Sequence, residues 1–460
     1  METTYNVKVW KISVYKGARG TTYTVRWALE GTERRAPFGT RALADAFRSE
    51  LVSATRRGEA FSLATGRPVS HQTGASGVNW YDFAVQFCDA QWRRTSGNSR
   101  KNVSKALMAT TIALLRTPVS PFKAVDVRTA LREFAFNTRR REEAPPEVAV
   151  ILKWAERNTL TMAAWEDPAK VDDVLRELSV RLDGAPAAAS SVKRTRRILN
   201  VAMEYAVTHR VLRSNPLPKG RGTAPKTSSA VDKRSLLNAM QAARLLGWVR
   251  RRPRGGARLH AFFATMYYAG PRPEEVVAMR VVDVHLPGED AEDQWSELVF
   301  HTAQPEVGKN WTDTGAIHEK RGLKGRAADD TRIVPGHPSL TKILREHIKA
   351  QSLKPGDLLF PGEKGEMLAG SVIRRAWRTA RGKVLTPEEF ASPLGKRVYD
   401  LRHTCLTNWL NDGVPAAQVA EWAGNSVPVL LAIYTRCVSG QLTDLKKRIE
   451  ARGDLPEIPS

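Results

Sequence analysis

Apolar and polar positions alternate along residues 22–29, with Tyr23, Val25 and Trp27 on one face and Thr22, Thr24 and Arg26 on the other. That period of two predicts a strand. Residues 5–12 alternate in part, and Lys16-Gly17-Ala18-Arg19-Gly20 reads as the turn between the two. A third short strand is expected through 34–38 and a helix over 41–57. From residue 78 the period becomes helical: Trp80, Phe83 and Phe87 fall at i, i+3 and i+7. Further helices are expected over 100–116, 125–136, 148–158, 168–182 and 191–211. Residues 71–76 and 215–229 (NPLPKGRGTAPKTSS) have the composition of linkers. Beyond them come a strongly apolar helix at 258–269, strands at 295–302 and 331–335 separated by a long polar excursion, and a basic helix at 371–381. The stretch 399–437 reads as three short helices broken at Asp412-Gly413 and Gly424-Asn425. Leu430, Ile433 and Cys437 share a face of the last, and Tyr434 lies beside that face.

This order predicts a multi-domain α+β chain. A small N-terminal β-sheet with one helix is expected over 1–70, a helical domain over 77–217, and a mostly α domain with a small β-sheet over 230–452. At 460 residues each part is long enough to bury a core. Lysine and arginine number 72 against 48 acidic residues, a formal charge of +24 spread along the whole chain. A polyanion is the economical partner, because each neutralised phosphate releases counterions; a nonspecific RNA binder has the same composition. Cys88, Cys405 and Cys437 are too few and too scattered for a disulfide framework or a metal cluster. They read as core thiols of a reducing compartment. No apolar run approaches the ~20 residues that span a bilayer, and the N-terminus has no signal-peptide core. A cytoplasmic protein with no membrane partner is expected.

The candidate chemistry sits where helices begin. Arg402 and His403 open one short helix, and Arg272 follows Gly270-Pro271 at the start of another. Helix N-termini point N–H groups outward and suit an anion, above all a phosphate. Guanidinium adds a rigid donor fork matched to phosphate oxygens. After Arg402-His403 comes the break Ala423-Gly424-Asn425-Ser426, then Tyr434. This pattern resembles the second signature box of the tyrosine recombinases, in the version of phage-type integrases from mobile elements of high-GC bacteria. The string AGPRPEEVV is similar to their first box, Gly-x-Arg-x-x-Glu, through Gly270, Arg272 and Glu275.

The resemblance implies a site-specific recombinase that cuts and rejoins DNA through a 3′-phosphotyrosine, with no cofactor and no metal. Its catalytic set would be Arg272, Lys324, Tyr399, Arg402, Asn425 and Tyr434, supported by Glu275 and His403. Lys309 and Lys320 rival Lys324, because the hairpin carrying the lysine varies in length. Tyr399 stands where the family usually has His or Lys, and Asn425 where it usually has His or Trp. Both can donate hydrogen bonds to phosphate, but neither is a good base, which leaves proton transfer to be reassigned, in part to His403. By the same resemblance the three parts are an arm-type DNA-binding domain, a core-binding domain and a catalytic domain. Arg26, then Lys193, Arg194, Arg196 and Arg197, then Arg374, Arg375 and Arg378 would face DNA. The expected partners are double-stranded attachment sites, three further copies of the chain in a homo-tetramer, and an excisionase or DNA-bending protein, all in the nucleoid. The alternatives are a catalytically decayed DNA-binding protein of the same fold and a type IB topoisomerase-like activity.

Overall fold

The computed structural model describes residues 3–434 apart from 18–19, 69–76, 118–119, 219–229 and 328–329, together with the single residue Lys446. The linker at 71–76, most of that at 215–229, and Cys437 lie outside the described residues. The chain is a mixed α/β protein with small sheets and divides into two compact units, Met1–Thr227 and Ser228–Ser460.

In the first unit, β1 (Thr3–Thr4) pairs with β6 (Phe61–Ser62). The longest strand, β4 (Gly20–Leu29), carries β2 (Val7–Val9) and β3 (Ser13–Gly17) on one edge and β5 (Thr32–Phe38) on the other, all antiparallel. The alternation seen in the sequence is realised: Val25 and Trp27 are buried and Arg26 is exposed. Helix α1 (Arg41–Arg56) covers that face, packing Ala44, Leu51 and Ala54 against Val25, Trp27, Leu29 and Phe61.

The helical part comprises α2 (Trp80–Trp92), α3 (Gly97–Ala113), α4 (Ala124–Ala130), α5 (Pro146–Asn158), α6 (Pro168–Glu177) and α7 (Ala189–Thr208). Asn79 caps α2 by accepting from the Asp82 N–H at 2.7 Å. One expected helix changes type along its length and another ends early. The one over 125–136 widens into a π turn at Leu131–Ala135, where the Phe136 N–H reaches the Leu131 carbonyl and the Ser104 hydroxyl takes the Arg132 carbonyl. The one over 168–182 stops at Glu177 because the chain folds back, Val180 bridging Pro186 around Gly184.

The second unit is built on α9 (Gly256–Ala269), which follows α8 (Ala239–Arg250). Its side chains are apolar nearly all round, with Leu259, Phe262, Phe263 and Met266 buried, as befits a helix enclosed by others. It packs against α8, α11 (Pro338–Ala350) and α14 (Asp400–Asn411). A short helix, α10 (Pro273–Val276), leads to the antiparallel sheet β7 (Val284–His285), β8 (Ser296–Phe300) and β9 (Arg332–Gly336). The excursion from β8 to β9 is pinned as a hairpin by the bridges Ala303↔Arg321 and Glu306↔His318. It is tied to α10 through the Gln304 N–H and the Glu274 carbonyl, 2.8 Å apart. The remaining helices are α12 (Gly370–Val384), α13 (Pro387–Ala391), α15 (Ala416–Ala423) and α16 (Val427–Tyr434). Among the described residues no helix is long and apolar enough to cross a membrane. Cys88 and Cys405 are free and buried.

Candidate functional site

Three breaks in the second unit bring the signature residues together. The first is the end of α9, where Gly270 takes the left-handed conformation (φ +61°). A side chain there would strike Leu406 and Cys405, so the close approach as well as the dihedral requires glycine. The chain emerges extended at Arg272, whose backbone N–H is held by the Glu275 carboxylate at 2.8 Å. The second is the start of α14. Arg402, only 1 % exposed, donates to the Gly270 carbonyl and, at 2.7 Å, to that of Ala423. The third is the end of α15, where Gly424 is also left-handed. A Cβ on Gly424 would lie 2.4 Å from Arg332 Nη1 and 3.3 Å from Arg272 Nη1. Its absence lets two guanidinium groups lie against the backbone. Arg272 Nη2 then donates to the Gly424 carbonyl and to Asn425 Oδ1, both at 2.9 Å.

Arg272, Glu275, Tyr399, Arg402, His403, Asn425 and Tyr434 therefore share one neighbourhood. The Tyr399 ring meets His403 edge-on at 5.0 Å and lies 5.9 Å from the Arg402 guanidinium. His403 Nδ1 is 2.8 Å from the Tyr434 hydroxyl. Tyr434 itself is packed with Leu430 in the core and 1 % exposed. That corrects the sequence expectation, which placed it beside the apolar face of its helix. The C-terminal end of α16 is docked where the Ile433 carbonyl accepts from the Val231 N–H, and Leu430 and Tyr434, at i and i+4, face the core together.

One member was missed by sequence reasoning. Arg332, on β9 and 2 % exposed, donates to both Glu275 oxygens (3.2 and 2.6 Å) and lies 4.9 Å from the Phe300 ring centre. A lone arginine in an alternating strand carries no motif; the nearest hint was its position on an inward-facing register.

Burial shapes the electrostatics. It would raise the Glu275 carboxyl, but Arg332, Arg272 and Arg402 outweigh it and hold the group down at about 2. For His403, burial and then the charges of Arg397 and Arg402 lower the imidazolium to about 4, so the ring is neutral at physiological pH. Burial pushes the Tyr434 phenol above its ordinary value, against the pull of Arg402 and Arg272. The resting site thus holds a protonated phenol against a neutral imidazole, beside arginines in excess over the single carboxylate between them.

The other expected site residues are placed as follows. Lys324 is exposed in the turn before Gly325 (φ +79°), on the path into β9. Lys309 opens the short turn Lys309–Trp311 within the hairpin, and Lys320 is exposed beside the Ala303↔Arg321 bridge. Arg374 and Arg378 line an 840 Å³ cleft that also takes in Lys396, Arg397, Tyr399 and Pro273, the neighbour of Arg272. Arg375 is exposed on the same helix outside that lining. Lys193, Arg194 and Arg197 line a 430 Å³ groove between α2, α3 and α7, while Arg196 is partly buried away from it. Arg26 is held by Glu33 across the β4–β5 pair at 2.5 Å. Among the described residues no group of three or more His, Cys, Asp or Glu is placed to hold a metal ion.

No protein-family model matches the chain, and no curated protein matches it in sequence. Among solved structures it is similar to the Tn1549 transposon integrase in complex with a circular intermediate DNA, at 12% identity over 70% of this chain and 99% of that one, with a TM-score of 0.47. It is also similar to the XerH site-specific recombinase bound to difH substrate (15% identity, 76% and 97% covered, TM-score 0.44). A lambda integrase dimer bound to a COC′ core site is a third (13% identity, 97% of each chain, TM-score 0.41). These likenesses are distant, and the function is read from the side chains of the cluster.

Proposed function

We propose that this chain is a site-specific DNA recombinase of the tyrosine recombinase type, an integrase that joins or excises a mobile element. One observation carries the reading: a buried phenol hydrogen-bonded to a neutral imidazole, in one neighbourhood with Arg272 and Arg402. A phosphodiester at the arginines has its charge balanced by groups already fixed in place, which favours the pentacoordinate transition state over the ground state. Asn425 Oδ1 accepts from Arg272 Nη2, so its amide N–H₂ is the part left to bond a phosphate oxygen. The Tyr399 hydroxyl is a second neutral donor beside it.

The reaction then runs in two proton transfers. The Tyr434 oxygen attacks phosphorus while its proton passes to His403 Nδ1; the bond to the 5′ oxygen breaks, and Lys324 protonates that leaving oxygen. The 3′-phosphotyrosine keeps the bond energy until a 5′ hydroxyl from a partner strand reverses the step. The arginines take the part a metal plays in other phosphoryl transfers. On this reading residues 1–70 bind arm-type sites, 77–217 grip the core site, 230–452 carry the chemistry, and four copies act on two duplexes.

The test is a nicked duplex carrying the sequence that flanks the gene, incubated with purified protein and with Tyr434→Phe. A denaturant-resistant protein–DNA adduct that vanishes in the variant is expected. Tight binding with no adduct in either protein would mean a decayed, binding-only copy. An adduct that relaxes supercoiled DNA but never exchanges strands would mean the topoisomerase-like activity.

A further inference from the structure

We infer that Arg332 is a positioning residue that sets the charge of the site: by sharing the Glu275 carboxylate with Arg272, it keeps that carboxylate from neutralising Arg272 alone and leaves the cluster net positive toward a phosphate. The inference rests on the recombinase reading for its substrate and on geometry for its logic. Two guanidinium groups share Glu275: Arg272 Nη1 lies 2.9 Å from Oε1, and Arg332 reaches Oε1 at 3.2 Å and Oε2 at 2.6 Å. Both arginines are nearly buried, and Glu275 and Arg332 are each about 1 % exposed at the side chain, so water screens none of this. Arg272, Arg332 and Arg402 against one carboxylate leave two positive charges for an incoming phosphodiester. Removing Arg332 would leave one, and it would turn a buried, uncompensated carboxylate wholly onto Arg272, where it competes with the phosphate for the same donors.

The position of Arg332 also explains the shape of the site. Its guanidinium occupies the space that a Gly424 side chain would need, and it rests against Phe300 of the neighbouring strand. Glu275 in turn holds the Arg272 backbone. Glu275 thereby joins strand β9 to the turn before α10, and Arg272 carries the link on to the end of α15.

The double-mutant cycle of Arg332→Met and Glu275→Gln in the full-length protein tests this. Adduct formation on the nicked duplex is measured, with duplex affinity and Tm followed for each variant. A second readout needs no DNA: the rise in Tm caused by inorganic phosphate, scored only as the part that Arg272→Ala abolishes. Arg332→Met should slow adduct formation about 100-fold and remove most of the phosphate-dependent rise, with duplex affinity changed less than about threefold. Arg332→Lys, which keeps the charge and loses the fork, should fall between. Adding Glu275→Gln to Arg332→Met should restore at least about tenfold of the loss, because the uncompensated carboxylate is gone; a role limited to packing on Phe300 would not be relieved. If the double variant is as slow as Arg332→Met, or if Arg332→Met is as fast as the parent, the inference is wrong. Should the parent make no adduct yet show an Arg332-dependent phosphate rise, the recombinase reading falls and this one stands.

Discussion

A histidine lowered to about 4 by burial and by the charges of Arg397 and Arg402 stays neutral at any pH near 7, so its Nδ1 can accept the hydrogen bond of the Tyr434 hydroxyl. The pH dependence follows with a definite sign. Between about 6.5 and 4 the unfolded chain binds a proton at His403 that the folded chain does not, so stability falls as pH drops through that window. Glu275 adds in the same direction lower down, its contribution being lost as pH falls from about 4.5 toward 2. A series of melts from pH 7 to pH 4 should therefore show a Tm that declines below about 6.5, with less decline in His403→Gln. The adduct-formation rate should keep its acid limb near 4, well below an ordinary imidazole. His403→Gln should be slower by roughly a factor of 10²–10⁴, the usual worth of a placed general base, and should lose that limb. A rate profile with an acid limb at 6.5 would put the base elsewhere.

At the scale of elements, the site is an assembly of helix ends. Gly270 and Gly424 each close a helix in the left-handed conformation and each admit arginine side chains to the freed carbonyls. Gly424→Ala should cost about 1–3 kcal/mol from the dihedral alone. It should cost activity beyond that, because the new methyl group displaces Arg332 and crowds Arg272. Tm and adduct yield measured together on the folded variant check it, and a variant with parental yield would show that the guanidinium groups can shift without loss. The same helix ends explain what could be read in advance. Gly-x-Arg-x-x-Glu and Arg-His each compress a break, a phosphate-matched side chain and its orienting partner into a few consecutive residues, so Arg272, Glu275, Arg402 and His403 were legible. Arg332 meets Glu275 from 57 residues away, and no local period encodes such a meeting. The inward turn of Tyr434 depends likewise on the distant Val231 docking its helix end. The lysine stays open among Lys309, Lys320 and Lys324 because the long hairpin between β8 and β9 offers several exposed lysines and no spacing that singles one out.

At the scale of the molecule, a formal charge of +24 makes affinity for any polyanion strong, salt-dependent and uninformative about sequence. What discriminates a built DNA surface from a solvated basic one is where the charge sits. Arg374 and Arg378 line the cleft that runs to Tyr399 and Pro273, beside the arginine cluster, whereas Arg375 on the same helix does not. If DNA lies along that cleft, each arginine neutralises one phosphate, and each loss reduces the slope of log K against log salt by about 0.9. Arg374→Ala with Arg378→Ala should then lower the slope by nearly two and weaken binding of cognate and unrelated duplexes alike. Arg375→Ala should leave the slope nearly unchanged. Fluorescence anisotropy on a labelled duplex across 50–200 mM salt separates the cases. Equal slopes for the parent and both variants would assign these arginines to solvent and move the duplex off this face of the unit, leaving Arg272 and Arg402 to meet a phosphate from another direction.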